Sequence, residues 1–104
     1  MEKRKHRRSL LRLDVELVYP DGERCVAKSR DLSIGGIYIE ATNAQARVVG
    51  MPVTVIFLSI PFENGFYSIK AKVQRLTEDG VILIFVDFGL NDLHQINAIM
   101  LSSS

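Results

Sequence analysis

Short stretches of alternating apolar and polar residues, broken by turn chemistry about every ten residues, constrain this chain more than any other feature. Leu13, Val15, Leu17 and Tyr19 alternate with Asp14 and Glu16, the period-two pattern of a strand with one buried face. Pro20-Asp21-Gly22-Glu23 follows as a turn, proline fixing φ and glycine accepting a positive φ. A second strand runs from about Arg24 to Arg30, with Cys25 and Ala27 on one face and Arg24, Lys28 and Arg30 on the other. It forms a hairpin with the first. A third, Gly36 to Glu40, sets Ile37 and Ile39 against Tyr38 and Glu40. Residues 41–50 lack periodicity and read as a loop. Pro52 to Ile60 is a β-branched fourth strand, and Pro61 to Phe66, containing Asn64-Gly65, is the next turn. Tyr67 to Leu76 alternates Ile69, Ala71 and Val73 with Lys70, Lys72 and Gln74. Glu78-Asp79-Gly80 then turns the chain into Val81–Phe88, an apolar run patterned for burial on both faces.

The period then changes. Leu90, Leu93, Ile96 or Asn97, and Met100 fall three to four apart, which predicts a helix over roughly 90–101. The fold class is mainly β: a six-stranded antiparallel barrel, closed or nearly so, with the C-terminal helix across one mouth or edge. At 104 residues, without repeats or low-complexity tracts, the chain makes one domain. Its boundaries are a basic arm over 1–12 and a barrel with helix over 13–104. No apolar run approaches the ~18–20 residues that cross a bilayer, and no apolar segment backs the charged start, so a cytoplasmic protein without membrane insertion is expected. Cys25 is the single cysteine; it excludes an internal disulfide and reads as a small buried hydrophobe.

A net charge of +1 hides an asymmetry. Residues 1–12 carry six basic groups against Glu2, while the other 92 carry seven basic and eleven acidic groups. Such an arm suits an anionic partner or serves as a solvated tail. Catalysis finds little support. His6 and His94 lack neighbours at metal-ligand spacing, so no metal site is expected. Ser33 has no histidine base, and Gly35-Gly36 lead into a strand where a phosphate loop would open a helix. No enzyme and no cofactor are expected.

Two features remain. Arg8-Ser9-Leu10-Leu11-Arg12 sets two arginines four apart just before the first strand, and Asp31-Leu32-Ser33-Ile34-Gly35-Gly36 forms a polar turn joining strands two and three. Asp and Ser commonly bond back to local backbone in such turns. In order and spacing the pair resembles the PilZ domain, a bacterial receptor module for cyclic di-GMP. The family's signature is R-x-x-x-R at the first strand and (D/N)-x-S-x-x-G between the second and third. The likeness continues through Gly36-Ile37-Tyr38-Ile39-Glu40, Val73-Gln74-Arg75 and Phe85-Val86-Asp87-Phe88.

The resemblance implies a six-stranded PilZ barrel and a ligand site made of Arg7, Arg8, Arg12, Asp31, Ser33, Gly35 and Gly36. Arginine's planar fork matches phosphate oxygens and guanine O6 and N7, and an aspartate accepts protons from guanine N1 and N2, which adenine cannot offer. Ser33 adds a hydroxyl, and Gly36 lets the backbone approach without a Cβ. The resemblance further implies an arm that closes over the ligand and signals to a downstream protein. Arg7, just before the motif, goes in this family with two ligand molecules per chain. Arg4 and Arg8 are also four apart; Arg8/Arg12 is preferred because Arg12 abuts the first strand. Two other readings stand beside the receptor: a PilZ-like adaptor that binds proteins without nucleotide, and a small barrel that binds nucleic acid through the arm with Lys70, Lys72 and Arg75. The acidic body and the lack of an aromatic stacking platform disfavour the last. Monomer and homodimer are both compatible with the sequence.

Overall fold

The computed structural model describes residues 9–40, 48–62 and 65–102. Six antiparallel strands, β1 (Asp14–Val18), β2 (Arg24–Leu32), β3 (Gly36–Glu40), β4 (Pro52–Phe62), β5 (Gly65–Leu76) and β6 (Gly80–Phe85), precede one helix, α1 (Leu90–Ser102). The strands close into a barrel in the order β1-β2-β3-β6-β5-β4. Two three-stranded meanders, β1-β2-β3 and β4-β5-β6, are thus sealed by β3 on β6 and β1 on β4. Among the described strands, closure leaves none at a sheet edge.

The expected alternation supplies the core. Val15, Leu17, Ile37, Ile39, Val55 and Phe57 point inward and are essentially buried. Lys70, Lys72, Gln74 and Arg75 face outward from β5, and Cys25 and Ala27 are half-buried against the core. Cys25 is therefore not the fully buried hydrophobe the sequence suggests. Leu11 and Leu13 also join the core, so the stretch before β1, counted with the arm on sequence grounds, packs against the barrel from Leu11 onward.

Four local readings change. β2 extends to Leu32, which places Asp31 inside a strand. Pro61 and Phe62, read as turn, belong to β4 and pair with Phe66 and Gly65. The strand is irregular between Ile56 and Pro61, the setting in which a ladder tolerates proline. The turn residue Asn64 and most of the 41–50 loop lie outside the described residues. β6 ends at Phe85, and Ile82 and Ile84 are only half-buried, because the outer face of an antiparallel barrel is open to water.

The helix packs through Ile96 and Ile99, with Leu93 and Met100 half-buried beside them, while Leu90 and Asn97 are exposed. The buried stripe is thus shifted from the one read off the sequence. Asp92 in the first turn accepts a hydrogen bond from the Gly89 N–H (3.0 Å), which ties up a donor that the helix leaves free. Its other oxygen accepts the Tyr67 hydroxyl at 2.5 Å, fastening α1 to β5. Burial first, then the Asp92 hydrogen bond and the Asp92 charge, push the Tyr67 phenol well above its ordinary value of 10.0.

Candidate functional site

Asp31 owes its position to one extra residue. The β2–β3 register runs Ser29↔Ile39 and then Asp31↔Tyr38, so Arg30 is the unpaired residue of a bulge. Directly opposed residues of a ladder share a face. The bulge therefore sets Leu32 opposite Ile37 in the core and turns Asp31 to the outer face beside Tyr38. Without it the parity would reverse and the carboxylate would enter the apolar interior. On the outer face Asp31 is still only 8% exposed.

Beyond Leu32 the chain closes a tight turn. The Ser33 N–H donates to the Gly36 carbonyl at 3.0 Å, and the Gly35 N–H donates to Ser33 Oγ at 3.2 Å. The Ser33 hydroxyl lies 3.4 Å from the Gly36 carbonyl, long for an O–H donor. The Phe85 N–H donates to the Gly35 carbonyl at 3.0 Å, pinning the turn to the end of β6. At Gly36 a Cβ would fall 2.2 Å from the Leu83 carbonyl oxygen. Close approach of β6 occupies the space above Gly36, so the barrel itself requires the glycine.

The stretch before β1 runs along the same end of β2. Ser9 and Leu32 exchange backbone hydrogen bonds of 2.8 and 2.9 Å. Farther along, buried Ser29 accepts the Leu13 N–H at 2.9 Å and donates to the Leu11 carbonyl. The residue following Arg8 is thereby held against the residue following Asp31. Arg7 and Arg8 themselves, like Arg4 and His6, lie outside the described residues.

Arg12 is oriented otherwise. Its Nη1 meets Glu40 Oε2 at 2.7 Å, at the far end of β3 from Gly36. Arg30, which sequence reasoning treated as a plain outward residue, approaches the same oxygen at 3.7 Å and stacks 4.7 Å above the Tyr38 ring. The Tyr38 hydroxyl in turn shares a 2.7 Å hydrogen bond with Thr77. Neither Glu40 nor Arg30 carried a sequence signal, because their meeting depends on the bulge register. The structure thus gathers Asp31, Ser33, Gly35 and Gly36 at one end of β2–β3, while the Arg12 guanidinium pairs with Glu40 at the other end of β3.

A groove of about 440 Å3 on the outer face of β1, β4 and β5, lined by Val18, Thr54, Lys70 and Val86 among others, shares no residue with this turn. Its lining is mostly apolar, with one lysine and Asp87 among it. Among the described residues no group of three or more His, Cys, Asp or Glu could hold a metal ion, and no helix is long and apolar enough to cross a membrane.

The barrel has many solved counterparts. The PilZ domain of YcgR from Escherichia coli, solved with c-di-GMP, superposes with a TM-score of 0.81 at 14% identity, over 98% of this chain and 92% of that one. The Bacillus subtilis inhibitor of motility (MotI/DgrA) gives 0.76 at 18% identity, over 98% of this chain and 51% of that one. This chain therefore spans about half that protein's length. The PilZ domain of CeSA from a cellulose-synthesizing bacterium gives 0.74 at 18% identity, over 92% and 96% of the two chains. At such identities the likeness speaks for the fold alone. No curated protein sequence matches significantly. The sequence profile of the PilZ domain matches residues 2–102. With the profile spanning nearly the whole chain, this protein belongs to the PilZ domain family.

Proposed function

We propose that this chain is a cyclic di-GMP receptor whose site joins Arg7, Arg8 and Arg12 to the Asp31–Gly36 turn. One observation supports the reading: Ser9, the residue after Arg8 in sequence, pairs in both directions with Leu32, the residue after Asp31. Each part suits one portion of a doubly charged guanine dinucleotide. Arginine forks bind phosphate oxygens or the guanine O6/N7 edge. The Asp31 carboxylate accepts from guanine N1 and N2. The Ser33 proton, poorly used by the Gly36 carbonyl, has a stronger acceptor in a phosphate oxygen. The likeness to the YcgR PilZ domain supports this ligand, since that domain was solved with c-di-GMP.

In this reading the N-terminal arm closes over the ligand and presents the closed form to a downstream protein, the cost of ordering being offset by the new phosphate contacts. Arg7 makes the ligand an intercalated pair, so two molecules bind per chain. Isothermal titration of the full chain with cyclic di-GMP tests this. Saturable binding near two molecules per chain is expected, lost in Arg8→Ala and Asp31→Asn while circular dichroism and the thermal midpoint hold. Saturation at one molecule would refute the role given to Arg7. Binding that survives both substitutions would refute the site.

A further inference from the structure

Glu40 lies four residues along β3 from Gly36, about 13 Å away at the usual strand rise. The contact that Arg12 makes at 2.7 Å therefore engages its guanidinium with Glu40, at the end of β3 opposite Gly36. A carboxylate on a guanidinium has the geometry that a phosphate on a guanidinium would have, so the two compete for one fork. Arg12 comes from the segment before β1 and Arg30 from the β2 bulge, and both reach the same Glu40 oxygen, Arg30 from 3.7 Å. Arg30 is also within 4.0 Å of Asp79 and rests on Tyr38, which keeps it in place whether or not Arg12 is present.

We infer that Glu40 is a built-in competitor for the anionic ligand, its carboxylate holding Arg12 until a phosphate takes the guanidinium and Arg30 takes over the carboxylate. This rests on the receptor reading above. Arg30 matters because release of Arg12 would otherwise strand a half-buried carboxylate. With Arg30 at hand, Glu40 exchanges one cation for another and the barrier to release stays low. Arg12 is 61% exposed and Glu40 26%, so the pair is partly solvated and its hold modest. Surface pairs of this kind hold affinity effects to about fivefold. Glu40 thus sets the ligand concentration at which the protein responds.

Titrating cyclic di-GMP into the full-length wild type, Glu40→Gln, Arg30→Gln and the double variant tests the exchange. Glu40→Gln is expected to bind about three- to fivefold tighter, a gain that structural damage does not produce. Arg30→Gln is expected to bind about two- to threefold weaker, and to have no effect once Glu40 is already Gln, because its action runs through that carboxylate. Should Glu40→Gln fail to fold, Glu40→Ala carries the same expectation. Unchanged or weaker binding by the Glu40 variants would overturn the inference while leaving the receptor intact. So would an Arg30→Gln loss that persists in the double variant, since Arg30 would then touch the ligand itself. If no folded protein in the set bound the nucleotide, the receptor reading would fall, and the competitor with it.

Discussion

Single residues in this barrel do work that their type alone does not reveal. Ser29 is fully buried, yet its hydroxyl uses both capacities, accepting the Leu13 N–H and donating to the Leu11 carbonyl. It stitches the segment before β1 to β2. Ser29→Ala leaves that N–H without its side-chain acceptor in the interior and should lower stability by about 1–3 kcal/mol. A urea titration reads this directly, and an unchanged midpoint would show the stitch to be dispensable. Gly36 meets the Leu83 carbonyl too closely for any Cβ, so Gly36→Ala should also cost about 1–3 kcal/mol through strain between β3 and β6. Its effect on ligand binding has to be judged against that loss of stability. Asp31 could be picked out in the sequence as an acidic turn residue, but its place on the outer face could not. That depends on Arg30 being looped out, and a bulge leaves no mark on a pattern of alternating types.

At the level of strands and helix, the period of the apolar residues shows where elements are but says little about their ends. All six strands are legible, β1, β2, β3 and β5 from apolar residues at every second position and β4 and β6 as apolar, β-branched runs between turn signals. The β4–β5 hairpin misled because Pro61 reads as a breaker, whereas past an irregularity it can sit in the ladder. The helix is legible from its spacing, but its buried side is set by packing, with Ile96 and Ile99 inward and Leu90 exposed. Its attachment to the barrel through Tyr67 and Asp92 joins residues that no local pattern links. Tyr67→Phe should loosen that attachment and cost about 1–2 kcal/mol. Because the folded phenol ionises above its ordinary value of 10.0, its contribution is intact below that pH and is lost as pH rises beyond it. Thermal melts across that range should show wild type losing stability faster than Tyr67→Phe. Parallel curves would mean that the phenol ionises alike folded and unfolded.

Viewed whole, the molecule is a closed barrel of acidic balance, preceded in sequence by a basic stretch. The charge asymmetry was plain from residue counts, which left an anionic partner and a solvated tail both open. The competition over Arg12 was not, since Glu40 and Arg30 meet it only when three segments are brought together at one end of the barrel. Closure of the two meanders fixes one part of the proposed site: the Asp31–Gly36 turn is tied to β6 through Gly35 and Phe85. The central claim is that a fixed carboxylate beside guanidinium groups reads a guanine dinucleotide. Parallel calorimetric titrations with cyclic di-GMP and its adenine counterpart, at equal salt, test it most directly. Saturable heat from the guanine compound and none from the adenine compound is the predicted result. Equal heats from the two, or none from either with the protein folded, would contradict it.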